Sequence, residues 1–137
     1  MYLLDTNICI YAMKARYPLL NKKLLSIDPR QILISSVTVG ELEYGIAKSD
    51  RPIENRHVID LFLSAFEIIS FSTSDARTFG CIRAELARKG TPIGPYDTMI
   101  AAQALCRSLT VVTHNTDEFS RVEGIKLEDW TIQALNP

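Results

Sequence analysis

Four polar turns in this chain carry the residue types of a divalent-metal site. Asp5-Thr6-Asn7 follows the apolar run Tyr2-Leu3-Leu4, and Glu41 comes shortly after Gln31-Ile32-Leu33-Ile34-Ser35. Asp97 follows the loop Thr91-Pro92-Ile93-Gly94-Pro95-Tyr96, and Thr113-His114-Asn115-Thr116-Asp117-Glu118 follows Leu109-Thr110-Val111-Val112. Carboxylates gathered on one rim need a remedy, because two such charges about 4 Å apart repel by about 4 kcal/mol at an effective dielectric near 20. They protonate, spread into water, or share a cation. A divalent cation is the remedy that also does chemistry, acting as a Lewis acid and lowering the pKa of a bound water. With oxygen donors only, Mg²⁺ is the candidate and Mn²⁺ the second. His57 and His114 are the only histidines, and no His/Cys ligand spacing occurs, which argues against zinc.

Elements that alternate between strand and helix would bring these turns to one place. Short apolar runs predict strands at Tyr2–Leu4, Gln31–Ser35, Glu67–Ser70, Leu109–Thr113 and Ile125–Leu127. Helical spacing fills the intervals: Ile8–Met13 capped by Thr6 or Asn7, Pro18–Ile27, Ser36–Lys48, Pro52–Phe66, a helix from a Thr73 or Ser74 cap to Lys89, and Thr98–Arg107 opened by Asp97. A helical turn is expected at Asp117–Phe119. Short apolar strands between helices imply a mainly parallel sheet covered on both faces, a three-layer α/β fold, with one domain over residues 1–137. In such a sheet the carboxyl ends of the strands share one edge, which is where ligands bind.

Composition narrows the partners. The chain has 137 residues and a formal net charge of −1, so whole-molecule attraction does not hold nucleic acid or membrane. Local clusters must do so. Lys14, Arg16, Lys22, Lys23 and Arg30 form one, and Arg77, Arg83, Arg88 and Lys89 another. Tyr11, Tyr17 and Tyr96 could stack on unpaired bases. Three cysteines without a CxxC pair read as buried, reduced thiols. No signal peptide or membrane span is evident, and the expected location is the cytoplasm.

Each acid also has a plain structural reading. Asp5, Thr6 and Asn7 are all good helix caps, and Thr38 with Glu41 has the spacing of a capping box. Asp117 and Glu118 would be ordinary surface charges, and His114 a substrate contact or a spectator. What these separate readings leave unexplained is the convergence of all the acids on one edge.

Leu3-Leu4-Asp5-Thr6-Asn7 and Ser35-Ser36-Val37-Thr38-Val39-Gly40-Glu41-Leu42 resemble the PIN-domain ribonucleases. So do Arg83 to Gly90, Pro92-Ile93-Gly94-Pro95-Tyr96-Asp97 and Val112 to Phe119, in that order. The resemblance runs from Tyr2 to Glu128-Asp129-Trp130 and is strongest to the VapC toxins of VapBC modules. It implies a PIN-like αβα domain and an endoribonuclease toxin that leaves a 5′-phosphate and a 3′-hydroxyl. Asp5, Glu41 and Asp97 would be its metal-binding acids, with Thr6, Asn7 and Thr113 in support. Asn115 stands where the family most often has Asp, so Asn115, Asp117 and Glu118 all remain open as the fourth position. Lys14, Arg16, Lys22, Lys23, Arg83, Arg88, Lys89 and Tyr96 would contact RNA.

The resemblance further implies tRNA as substrate, with Arg83 to Asp97 similar to the subgroup that cuts initiator tRNA. A VapB antitoxin, homodimerisation through helices of the first half, and operator DNA bound only through the antitoxin belong to the same expectation. Two alternatives compete. A receiver or haloacid-dehalogenase phosphotransfer protein lacks support, since Asp5-Thr6-Asn7 has no second Asp and no Lys follows the last convincing strand. A catalytically silent RNA- or protein-binding module is countered only by the retention of Asp5, Glu41 and Asp97.

Overall fold

A computed structural model describes residues 1–133. Five short strands, β1 (Tyr2–Leu4), β2 (Ile32–Ser35), β3 (Glu67–Ile69), β4 (Thr110–Val112) and β5 (Lys126–Glu128), lie in the order β3-β2-β1-β4-β5. Every neighbouring pair is parallel, so the sheet is wholly and not merely mainly parallel. Its helices are α1 (Thr6–Met13), α2 (Pro18–Ser26), α3 (Ser36–Ala47), α4 (Pro52–Leu63), α5 (Thr73–Arg88), α6 (Pro95–Cys106) and α7 (Thr116–Phe119). A 3₁₀ turn at Pro29–Gln31, absent from the sequence reading, leads into β2.

The strand period of two divides the apolar residues between two cores. Leu3, Leu33 and Val111, aligned in register, pack with Ile82 and Leu86 of α5 and with Ile100, Ala101 and Ala104 of α6. Leu4, Ile34 and Val112, one residue on, pack with Ile8 and Cys9 of α1, Leu20 of α2 and Trp130. Leu3 and Leu4 are both fully buried, each contributing about 1.5–3 kcal/mol. Burial on both faces lets strands this short hold a central position.

Three helix starts differ from the sequence reading. Asp5 itself caps α1, its Oδ1 accepting from the Ile8 amide at 2.8 Å. Ser72 caps α5 in a capping box with Asp75, one residue before the expected Thr73 or Ser74. Gly94 precedes α6 with Pro95 as first helical residue, so Asp97 lies inside the first turn, where the helix dipole favours a carboxylate. The Thr38–Glu41 capping box is not formed, because α3 begins at Ser36 with Ser35 as its cap, and both residues lie within it. The cysteine expectation holds only for Cys9. Cys81 and Cys106 are exposed, being on the outer side of α5 and at the end of α6.

Helices α1, α5 and α6 end in the same way. The two amides after each C-cap bond back into the last turn, at Ala15 and Arg16, Gly90 and Thr91, and Ser108 and Leu109. This Schellman arrangement puts the first of each pair in the left-handed region, at φ 49°, 68° and 56°. Only Gly90 adopts it freely. Ala15→Gly and Ser108→Gly are therefore expected each to stabilise the fold by about 0.5–1 kcal/mol, relief of left-handed strain exceeding glycine's extra chain entropy. Urea unfolding of the two variants checks this; an unchanged or lower midpoint would refute it. No helix among the described residues is long and apolar enough to cross a membrane.

Candidate active site at the carboxyl edge of the sheet

From β1 the chain proceeds to β2 on one side, while β4 returns on the other. Connections leaving adjacent strand ends in opposite directions open a crevice between β1 and β4. The first residue past each strand continues its ladder: Asp5 donates its amide to the Val112 carbonyl at 3.1 Å, and Thr113 to that of Glu128 at 3.0 Å. Asp5 and Thr113 thus stand side by side at the floor of the crevice.

Asp5 is 3% exposed. Burial pushes its carboxyl up to about 6, against the Thr113 hydroxyl and the Ile8 amide that bond to its anion; Glu41 and Asp129 add repulsion. Asp97, less deeply set, is also pushed up to about 6, by burial first and then by the charges of Asp5, Glu41 and Glu118. Glu41 reaches over from α3 and accepts from the Thr6 hydroxyl at 2.7 Å. Thr6 has one proton, so its 3.0 Å contact with buried Thr38 is completed by Thr38 donating. A threonine relay therefore holds Glu41.

The turn after β4 places its three candidates differently. Asn115 donates from Nδ2 to Glu118 Oε2 at 2.9 Å, while its own amide bonds the Thr113 hydroxyl oxygen at 2.9 Å. Glu118 is the acid of this turn that lies in the field of Asp97, whereas Asp117 points to solvent. Asn115 thus bridges Thr113 and Glu118. Asn7 lines the crevice with Asp5, Tyr11, His114 and Asn115.

Oxygen donors meet here, and among the described residues no Lys or Arg is ion-paired with Asp5, Glu41, Asp97 or Glu118. Such a donor set, with its charge uncompensated, fits a hard divalent cation. The acids face one another without closing: among the described residues, no three Asp, Glu, His or Cys side chains already form an enclosing cluster.

The sequence pattern of the PIN domain matches residues 2–125. The chain belongs to the PIN-domain family. Its likeness to VapC members covers nearly the whole length. It is 46% identical to the tRNA(fMet)-specific endonuclease VapC of Salmonella typhimurium, over 94% of this chain and 97% of that protein. Ribonuclease VapC2 of Rickettsia felis is 41% identical over 95% of this chain and 98% of that one. The DNA-bound VapBC structure from Salmonella typhimurium superposes with a TM-score of 0.89 at 46% identity, covering 94% of this chain and 97% of that one. The chain is thus a VapC-type ribonuclease by family, and PIN-domain VapC nucleases are divalent-metal dependent.

The basic residues of this PIN domain are not equivalent. Lys14 and Tyr96 line two separate grooves that both include Glu41, and so flank the acids. Arg16 lies over the rings of Tyr11 and Tyr17, at 5.3 and 5.7 Å. Arg83 faces the loop before α6, beside Pro92, Ile93 and Pro95. Arg88 and Lys89 both pair with Glu85 on their own helix, which compensates their charge. Lys22 is exposed on α2, and Lys23 lies 5.9 Å from the Trp130 ring centre.

One group beside the acids escaped sequence reasoning. Asp129 lies near enough to repel Asp5, yet it is beyond β5 and has no signal except its place in Glu128-Asp129-Trp130. His114 is anchored by it, Nδ1 standing 3.0 Å from Asp129 Oδ2 and 2.8 Å from Thr131 Oγ1.

Proposed function

We propose that this VapC-type PIN domain is a Mg²⁺-dependent endoribonuclease, with Mn²⁺ as substitute, that hydrolyses phosphodiester bonds in tRNA and so inhibits translation. The supporting observation is the set of uncompensated carboxylates, Asp5, Glu41, Asp97 and Glu118, at the β1/β4 switch point. Asp5 and Asp97 would be the principal ligands, with Glu41 and Glu118 beside them. When bound, the ion would polarise the scissile phosphate and make a water nucleophilic near neutral pH. The chain's own residues prepare the rest. Thr113 and the Ile8 amide aim Asp5. Thr6 occupies Oε1 of Glu41, and Asn115 occupies Oε2 of Glu118. Each leaves its second oxygen free to accept a proton from the attacking water.

Support for tRNA comes from the Salmonella and Shigella flexneri relatives, 46% and 45% identical, both named tRNA(fMet)-specific. Initiator tRNA is therefore the first substrate to test, and its anticodon region, which the resemblance implies, is where the cut is sought. Cleavage of total tRNA by antitoxin-free protein with Mg²⁺ tests the reading. Discrete fragments should appear and should vanish with EDTA; fragments that persist in EDTA would refute it. If tRNA, rRNA and mRNA all survived, the silent binding module would replace it.

A VapB-type antitoxin is the proposed inhibitor, with operator DNA bound only through it, and the cytoplasm the proposed location. A homodimer is part of the same reading. Helix α4 buries none of its residues and shows Ile53, Val58 and Leu61 to solvent. Leu61→Asp is expected to convert a dimer to a monomer by light scattering without lowering the melting temperature. A wild-type monomer, or a variant that stays dimeric, would exclude α4 as the interface.

A further inference from the structure

Beside the acidic crevice lies an aromatic cluster that the proposed hydrolysis does not use. Tyr11 and Tyr17 meet edge-on with centroids 5.1 Å apart, and His114 lies 5.4 Å from Tyr17 and 6.4 Å from Tyr11. Tyr11 and His114 also line the crevice with Asp5, so cluster and site are continuous. Arg16 stands over both tyrosines and makes no ion pair among the described residues. Lys23 lies instead over the Trp130 ring, at 5.9 Å.

The imidazole is held rather than free. Thr131 gives its hydroxyl proton to Asp129 Oδ1 at 2.6 Å, so Nδ1 of His114 must be the donor to Thr131 Oγ1 and Asp129 Oδ2. This fixes the tautomer and the ring plane. The His114 side chain is nevertheless 44% exposed. Packing alone does not require, beside an acidic crevice, an anchored, half-exposed imidazole and a guanidinium that among the described residues has no ion pair. Flat aromatic faces beside a free cation are what an unpaired nucleobase stacks on.

We propose that Tyr17 and His114, with Arg16 above and Asp129 as the positioning residue behind, form a stacking subsite for the unpaired base of a nucleotide flanking the scissile phosphate. This rests on the endoribonuclease reading. The subsite contributes substrate binding and choice of cleavage position, and takes no part in proton transfer.

The test couples protein and substrate changes. Once the cut is mapped, the nucleotides on either side are made abasic one at a time. For the wild type, one of these should reduce kcat/KM about tenfold, mainly through KM. Tyr17→Ala should lose as much on intact RNA and lose nothing further on that abasic RNA. His114→Phe, which keeps a ring but not the Asp129 bond, should lose less than His114→Ala but more than nothing, the remaining loss being what the Asp129 anchor contributes. Losses that add independently, or that fall on kcat alone, would overturn the proposal, as would an antitoxin-binding defect in Tyr17→Ala with unchanged RNA kinetics, which would assign the face to the protein partner. If the wild type cuts no RNA, the nuclease reading fails separately. The subsite is then read by binding, with 2-aminopurine placed at successive positions of a short unpaired RNA. Quenching that Tyr17→Ala abolishes supports stacking; no quenching at any position overturns it.

Discussion

Asp97→Asn is expected to lower cleavage of tRNA by more than about a hundredfold while raising the melting temperature of the metal-free protein at pH 7.5. Groups that merely orient metal ligands cost 10–100-fold when removed, and Asp97 is proposed as a ligand itself. The stability gain follows from the same charge. Both Asp5 and Asp97 have folded-state values raised to about 6 from an ordinary 3.8. A raised carboxylate favours the protonated folded state. Its contribution is therefore full below about pH 4 and is lost as pH rises through 6. At pH 7.5 both penalties are present, and a neutral Asn removes the one at Asp97. After discounting for solvent the gain is on the order of 1 kcal/mol, roughly 4 °C in a chain of this size.

Asp5→Asn should behave alike, since Asn Oδ1 can still cap α1 at the Ile8 amide. Mg²⁺ should stabilise the wild type at pH 7.5 by mass action and do little for either variant. Thermal melts at pH 5 and 7.5, with Mg²⁺ or EDTA, and a tRNA cleavage assay read all of this. An Asp97→Asn protein that cuts normally would remove Asp97 from the site; one that melts lower at pH 7.5 would remove the electrostatic account.

The largest stability effect is expected away from the crevice. Asp75, fully buried at the start of α5, accepts from the Ser72 amide at 2.8 Å and from Arg107 of the α6 C-cap at 3.0 Å. Gln103, also buried, donates to the Ile69 and Ser70 carbonyls at the end of β3 and reaches Asp75 at 3.5 Å. One carboxylate thus joins the capping box of α5, the end of α6 and the edge strand. Burial alone would push it up, but the Arg107 guanidinium and the Ser72 groups hold it below the usual carboxylate range.

Asp75→Ala removes all these bonds and leaves Arg107 without its anion, for an expected loss of about 3 kcal/mol; Asp75→Asn, which keeps the cap, should lose about half. The sign with pH is opposite to that of Asp5. A lowered carboxylate stabilises the fold above its unfolded value near 4, and the contribution disappears as pH falls through the folded value. Urea unfolding at pH 7 and pH 3 should show the wild-type advantage over Asp75→Asn shrinking in acid. An undiminished advantage, or a loss under about 1 kcal/mol in Asp75→Ala, would show the network to be incidental.

The helix starts mark the limit of local reading. Asp5 and Ser72 cap where their neighbours were expected to, because Ser, Thr, Asp and Asn compete at adjacent positions and the packed helix axis chooses among them, while α6 starts a turn earlier than expected, at Pro95. Cysteine burial is a similar case. Cys81 adjoins buried Ile82 on one helix, and only the rotation of α5 against the sheet separates inside from outside.

The sequence by itself determined the alternation of strand and helix, through periods of two and 3.6, and with it a covered parallel sheet. It also placed Asp5 and Thr113 at strand ends, and singled out Glu41 and Asp97 by their position in helical first halves. Tertiary structure decided which turns meet. The order β3-β2-β1-β4-β5 sets β1 beside β4, and thereby brings residues 5, 41, 97, 118 and 129 to one crevice. It also set Glu118 in the field of Asp97 and left Asp117 exposed, joined Asp129 to His114, and buried Asp75 against Arg107. The physical reason is one of range. Backbone periodicity is fixed by neighbours a few residues apart, whereas strand order depends on which helices pack on which face of the sheet, a choice written in no single segment.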